Sequence, residues 1–137
     1  MNKLTYIEYI EKIALFRILF DIVNADKIIH EKEIYYLKEI ANSLNLVGDY
    51  EKDVKELTSF MAISKIQSLS NDVKEEIAQL MGNMIVIDKD INYNEVKVYY
   101  RVCELCNINK DFDVEDFPNC TLSGPFVNPE DLFVNQN

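Results

Sequence analysis

The residues of this sequence best suited to chemistry fall in two short acidic stretches. In the second, Asp88, Asp90, Asn92 and Asn94 carry side-chain oxygens on alternate residues, with Glu95 adjacent. In the first, Asp26 stands seven residues before Glu33, as Asp88 stands seven before Glu95. Oxygen donors gathered in a turn suit a hard divalent cation such as calcium, magnesium or manganese. The candidate ligands are Asp26, Glu33, Asp88, Asp90, Asn92 and Glu95, and the second turn is the richer. An EF-hand loop does not fit. Its sixth position requires Gly and its twelfth a bidentate Glu, and these positions hold Tyr93 and Tyr99. Any cation site is therefore of another kind, and sharing between the two turns is open. A purely structural role is the competing expectation. His30 and Asn92, each three residues before its Glu, stand where a helix N-cap would be, and the Glu would complete a capping box worth about 0.5–2 kcal/mol.

Those turns need helices on both sides, and the apolar pattern supplies them. Ile7, Ile10, Ala14, Leu15, Ile18, Leu19, Ile22 and Val23 recur at three- and four-residue steps and predict a helix over about 6–25. Thr5 with Glu8 fits a capping box at its start. A second helix over about 31–45 would bury Ile34, Leu37, Ile40, Ala41 and Leu44. Gly48 and Asp49 break the pattern, and short helices around Val54 and Leu57 and from Phe60 to Ile66 follow. A cap among Ser70, Asn71 and Asp72 opens a long helix carrying Ile77, Leu80, Met81, Met84 and Ile85. A last helix spans about 93–106. No strand alternation is sustained.

A shift of 62 residues lays the chain on itself. Asp26, Lys27, Ile29, Glu33 and Asn45 meet Asp88, Lys89, Ile91, Glu95 and Asn107 with identity. Leu15, Ile18, Leu19, Ile22 and Val23 meet Ile77, Leu80, Met81, Met84 and Ile85, and Ile34 and Leu46 meet Val96 and Ile108. One helical hairpin cannot cover its own apolar stripe, but two facing each other can. The expectation is an all-α compact bundle of two pseudo-repeated helix–turn–helix units. It would form one domain over 1–109, with repeats at about 4–46 and 66–108.

Residues 110–137 differ in kind. They hold all three prolines, and six acids against one base. Four of the seven phenylalanines are also here, Phe112, Phe117, Phe126 and Phe133. That much apolar surface points to a segment packed on its own helical body or docked on a partner or a second copy. Asn128, Pro129 and Asp131 could open a short helix.

With 24 acidic against 14 basic residues the net charge is −10, which disfavours nucleic acid and anionic lipid as partners. It favours basic protein partners and cations; a homodimer is also open. No apolar run reaches the ~20 residues of a membrane helix, and the first apolar stretch is interrupted by charges, unlike a secretion signal. Three cysteines without such a signal suggest free thiols and a cytoplasmic location. Cys103 and Cys106 form a C-x-x-C, but the repeat lays them on Ala41 and Leu44 and they fall near a helix C-terminus, where the dipole disfavours thiolate. They read as core residues; a zinc site of Cys103, Cys106, Cys120 and His30 satisfies ligand count with irregular spacing. No Gly-rich phosphate loop occurs. His30 is the only histidine and reads as a cap, so no catalytic constellation stands out.

The duplicated turn resembles that of the tellurite-resistance TerB-like family, whose motif runs roughly Asp-Gly-acid-Ile-Asp-x-x-Glu. Its Asp, Ile and Glu match Asp26, Ile29 and Glu33, and again Asp88, Ile91 and Glu95. The likeness covers about residues 4–108. Lys27 and Lys89 stand where that motif has Gly, Ile28 replaces the second acid that Asp90 keeps, and His30 and Asn92 replace the helix-start Asp. The resemblance implies an all-helical, non-enzymatic cytoplasmic module tied to stress or tellurite resistance, with an acidic, cation-binding surface. The expected function is therefore a protein-interaction module with a divalent-cation site. A dedicated cation binder or sensor is the alternative, and a metal-dependent hydrolase the remotest one.

Overall fold

The computed structural model describes residues 2–25, 29–109 and 112–124. Its centre is α1 (Tyr9–Asn24), which buries Ile13, Ala14, Leu15, Phe16, Ile18, Leu19, Ile22 and Val23. These positions run around most of the helix, as they do when a helix is enclosed by others. The helices around it are α2 (Glu31–Ser43), α3 (Tyr50–Glu56), α4 (Ser59–Gln67), α5 (Asn71–Val86) and α6 (Tyr93–Cys106). α1 packs against α3, α4, α5 and α6, so one apolar rod is shared by both halves of the chain. Each fully buried Leu or Ile contributes about 1.5–3 kcal/mol. The fold is an all-α bundle, as the periodicity predicted.

Helix starts are set by side-chain caps. Thr58 accepts the Met61 amide at 3.1 Å, and Ser70 accepts the Val73 amide at 3.3 Å. The first cap differs from expectation. A 3-10 turn covers Asn2–Tyr6, and the box forms three residues later, where Glu11 Oε1 accepts the Glu8 amide at 2.8 Å. Leu4, in that turn, is buried.

The second helices of the two hairpins share an end motif. Asn45 and Asn107 both adopt left-handed backbone, φ 58° and 59°. The next amide then reaches back to a carbonyl five residues earlier, Leu46 to Ala41 at 2.9 Å and Ile108 to Cys103 at 2.8 Å. Asn tolerates this conformation better than most L-residues, and the apolar residue after it covers the helix end. Leu46 and Ile108 are both buried.

Two further expectations fail. Ile34 was expected in the core and is 42% exposed. And although no strand was expected, β1 (Asp90–Asn92) pairs in parallel with β2 (Thr121–Ser123), Ile91 opposite Leu122. Three residues are too few to show an alternating pattern, and the partner comes from the segment that follows α6. That segment packs on its own helical body. Phe112 is buried, its ring 5.7 Å from Tyr99 and stacked on Phe117 at 5.5 Å. The Tyr100 hydroxyl donates to the Phe112 carbonyl at 3.2 Å. The helix start expected at Asn128 lies outside the described residues.

Candidate metal centre between the two turns

The oxygens of the second turn do not converge on one point. Asp90 faces β2, its carboxylate accepting the Thr121 and Ser123 hydroxyls, each at 2.6 Å. Asn92 caps α6, accepting the Asn94 amide at 2.9 Å, and donates to Ser123 at 3.2 Å. Both are thus committed to holding the strand pair and the helix start. The loop therefore does not gather the alternate-residue ligand set that the spacing suggested. Left-handed backbone at Lys89, φ 62°, reverses the chain between Asp88 and Asp90 and sends their side chains to different neighbours.

Asp88 points instead to the first turn. One of its oxygens accepts the Asp90 amide at 3.1 Å, and the other lies 3.3 Å from His30 Nε2. His30 is the N-cap of α2, and its own amide donates to Glu33 Oε1 at 3.0 Å. Donor atoms of His30, Glu33 and Asp88 all lie within 4.8 Å of one another. Among the described residues this is the group of His, Cys, Asp and Glu side chains that could hold a metal ion. Glu33 is buried, and its carboxyl is hydrogen-bonded to that of Glu95, its counterpart in the other copy. Burial pushes the Glu33 pKa up and Asp88 adds to this; the bonds from Glu95 and the His30 backbone pull the other way. Two acids meeting where the copies face each other hold a proton or a cation more readily than two negative charges.

Of the expected ligands, Glu33 and Asp88 come together, Glu95 adjoins them through Glu33, and Asp90 and Asn92 turn away. Asp26 lies outside the described residues. His30 is the cap that its place before Glu33 predicts; the spacing carries no sign that its ring also meets the opposite turn. The set joins one imidazole nitrogen to carboxylate oxygens. That composition fits manganese or zinc better than calcium, which takes six to eight oxygens.

The cysteines stand apart from this group. Cys103 and Cys106 are buried in the core, and Cys106 lies 3.8 Å from the Ile63 carbonyl oxygen. Burial raises the Cys106 pKa, so it is held as the thiol, as its place near the end of α6 suggested. No described helix is long and apolar enough to cross a membrane.

No protein-family model matches the sequence, and no curated protein matches it. A solved structure does. The crystal structure of PG1108, a protein of unknown function from Porphyromonas gingivalis W83, matches with TM-score 0.62 and 21% identity, over 73% of this chain and 84% of that one. At that identity the similarity speaks for the bundle and its connections alone.

Proposed function

We propose that this chain is a non-enzymatic, TerB-like helical module of the cytoplasm that holds a divalent cation between its two acidic turns and binds a protein partner in a stress response. The observation that carries the cation reading is the meeting of His30 and Glu33 from one copy with Asp88 from the other. A cation there would offset the repulsion around the buried Glu33 and fasten the two halves together. Manganese is the favoured ion of the three expected, because the site includes an imidazole. The acidic surface would steer a basic partner toward the module.

Calorimetric titration of the full chain with manganese, zinc, calcium and magnesium tests this reading. Manganese or zinc should bind at one site per chain. Asp88→Ala and His30→Ala should each weaken binding at least tenfold, while Asp90→Ala should leave it within a factor of about two. Loss on Asp90→Ala with retention in His30→Ala would return the site to the second turn alone. No heat with any ion would remove the cation and leave the partner module, which a pull-down with the full chain then addresses. A dedicated cation binder draws support from the same cluster, and would bind the ion yet retain no partner.

A further inference from the structure

An apolar groove of about 430 Å³ opens between α1, α2 and α3. Phe16, Leu37 and Val54 form its buried floor, and Ile29 and Ile34 on its rim are 49% and 42% exposed. A shift of 62 residues lays it on a second groove, of about 180 Å³, beside α5 and α6. The smaller volume has a local cause. Phe16 and Phe20 become Ala78 and Gly82, a wall low enough for the Phe112 ring, which lies 3.6 Å from where a Cβ of Gly82 would be. Phe117 stacks on Phe112, and the Tyr100 hydroxyl donates to the Phe112 carbonyl. The second copy thus fills its own groove with rings, and Ile91 and Val96 are enclosed, both at 0%.

The first copy differs at two positions that hold these rings. Tyr100 and Phe117 correspond to Lys38 and Lys55, and both lysines line the open groove. Each follows a floor residue, Leu37 on α2 and Val54 on α3, so the apolar floor carries a cation on each of two helices. Among the described residues neither lysine is in an ion pair, whereas Arg17, which also lines the groove, is held by Asp21 at 3.3 Å. In a chain of net charge −10, two such lysines against one acid, Glu51, are a local reversal of sign. At physiological salt the Debye length is about 8 Å, so these near charges outweigh the more distant acidic surface. The exposed isoleucines call for hydrocarbon, the lysines for an anion, and the volume is that of a small-molecule site. We propose that the groove of the first copy binds a fatty-acid carboxylate, its hydrocarbon chain against Phe16, Val54 and Ile34 and its carboxylate at Lys38 and Lys55. The proposal does not depend on a cation between the turns.

Calorimetric titration of the full chain, with chelator present, tests this with octanoate, decanoate and dodecanoate below their micelle concentrations. Affinity should rise about fourfold with each added methylene. Lys38→Ala combined with Lys55→Ala should weaken decanoate by roughly fivefold to tenfold and leave uncharged decanol within a factor of about two. Both lysines are exposed, so the variant should keep the melting temperature of the unaltered chain. In methyl NMR spectra of the unaltered chain, decanoate should shift Ile29 and Ile34 and leave their counterparts Ile91 and Val96 in place, a readout that needs no variant to fold. Absent shifts at Ile29 and Ile34 overturn the proposal, and a dimer mass in light scattering would then assign the groove to a second copy. Equal shifts in both copies, as from detergent action, overturn it as well. So does an unchanged decanoate affinity in the lysine variant, or an equal fall for decanol.

Discussion

The two copies of the hairpin use the same apolar positions and finish them differently. Ile29 and Ile91 are identical residues at equivalent places, yet one is half in solvent and the other fully enclosed. Ile34 and Val96 differ in the same sense. The cause lies outside the repeat. After α6 the chain returns with Phe112, Phe117 and β2, which together cover the second hairpin. After α2 it goes into α3, and Tyr50 and Val54 cover only the floor of the first. Duplication therefore set where apolar surface lies, and the connecting segments set which of it is hidden.

The largest expected effect follows from this difference. Phe112→Ala should cost about 3 kcal/mol in urea unfolding, since it removes a buried ring packed on Tyr99 and Phe117. Tyr50→Ala should cost about 1 kcal/mol, near the value of its edge-on pair with Phe16. Equal losses would break the contrast between a closed copy and an open one.

Asp90→Ala sharpens it next. The carboxylate holds two hydroxyls of β2, and its removal should cost about 2 kcal/mol and speed amide exchange over residues 121–123. Unchanged exchange there would mean that the strand is held by its backbone pairing alone.

A third expectation concerns the point where the copies meet. Burial holds the Glu33 pKa above its unfolded value, so the folded chain keeps that proton the more tightly. The stability this contributes is complete below the unfolded pKa and is lost as pH rises through the folded pKa. With chelator present, melts at successive pH values should therefore fall over that window, by at most about 1.4 kcal/mol per pH unit from this group. Glu33→Gln should flatten the fall. An unaltered slope in that variant would show that the carboxyl contact between copies does not govern it.

The smallest effect is at Lys89, whose φ of 62° is the left-handed conformation that glycine adopts without steric cost. Lys89→Gly should raise stability by about 0.5 kcal/mol, the relief of side-chain crowding less the added freedom of the unfolded chain. A loss instead would indicate that the lysine side chain does more than occupy the turn.

The candidate site was only half legible in advance. Glu33, Asp88 and Glu95 could be singled out because spacing and repetition are properties of the chain. That Asp90 serves β2 instead of a cation depends on Thr121 and Ser123, about thirty residues away and without any pattern linking them to the turn. His30 was identifiable as a cap from its place before Glu33, but its approach to Asp88 depends on how the two hairpins meet.

The sequence by itself determined the helices, most of their caps, the matched Asn45 and Asn107 ends and the twofold occurrence of the turn. These follow from near neighbours, through three- and four-residue periodicity and local hydrogen bonds. The tertiary structure alone decided which carboxylates face each other, which copy is closed, and where α1 lies among the others. Such outcomes depend on contacts between residues far apart in the chain, where an isoleucine of one copy is enclosed and its twin is not because a distant phenylalanine reaches only one of them.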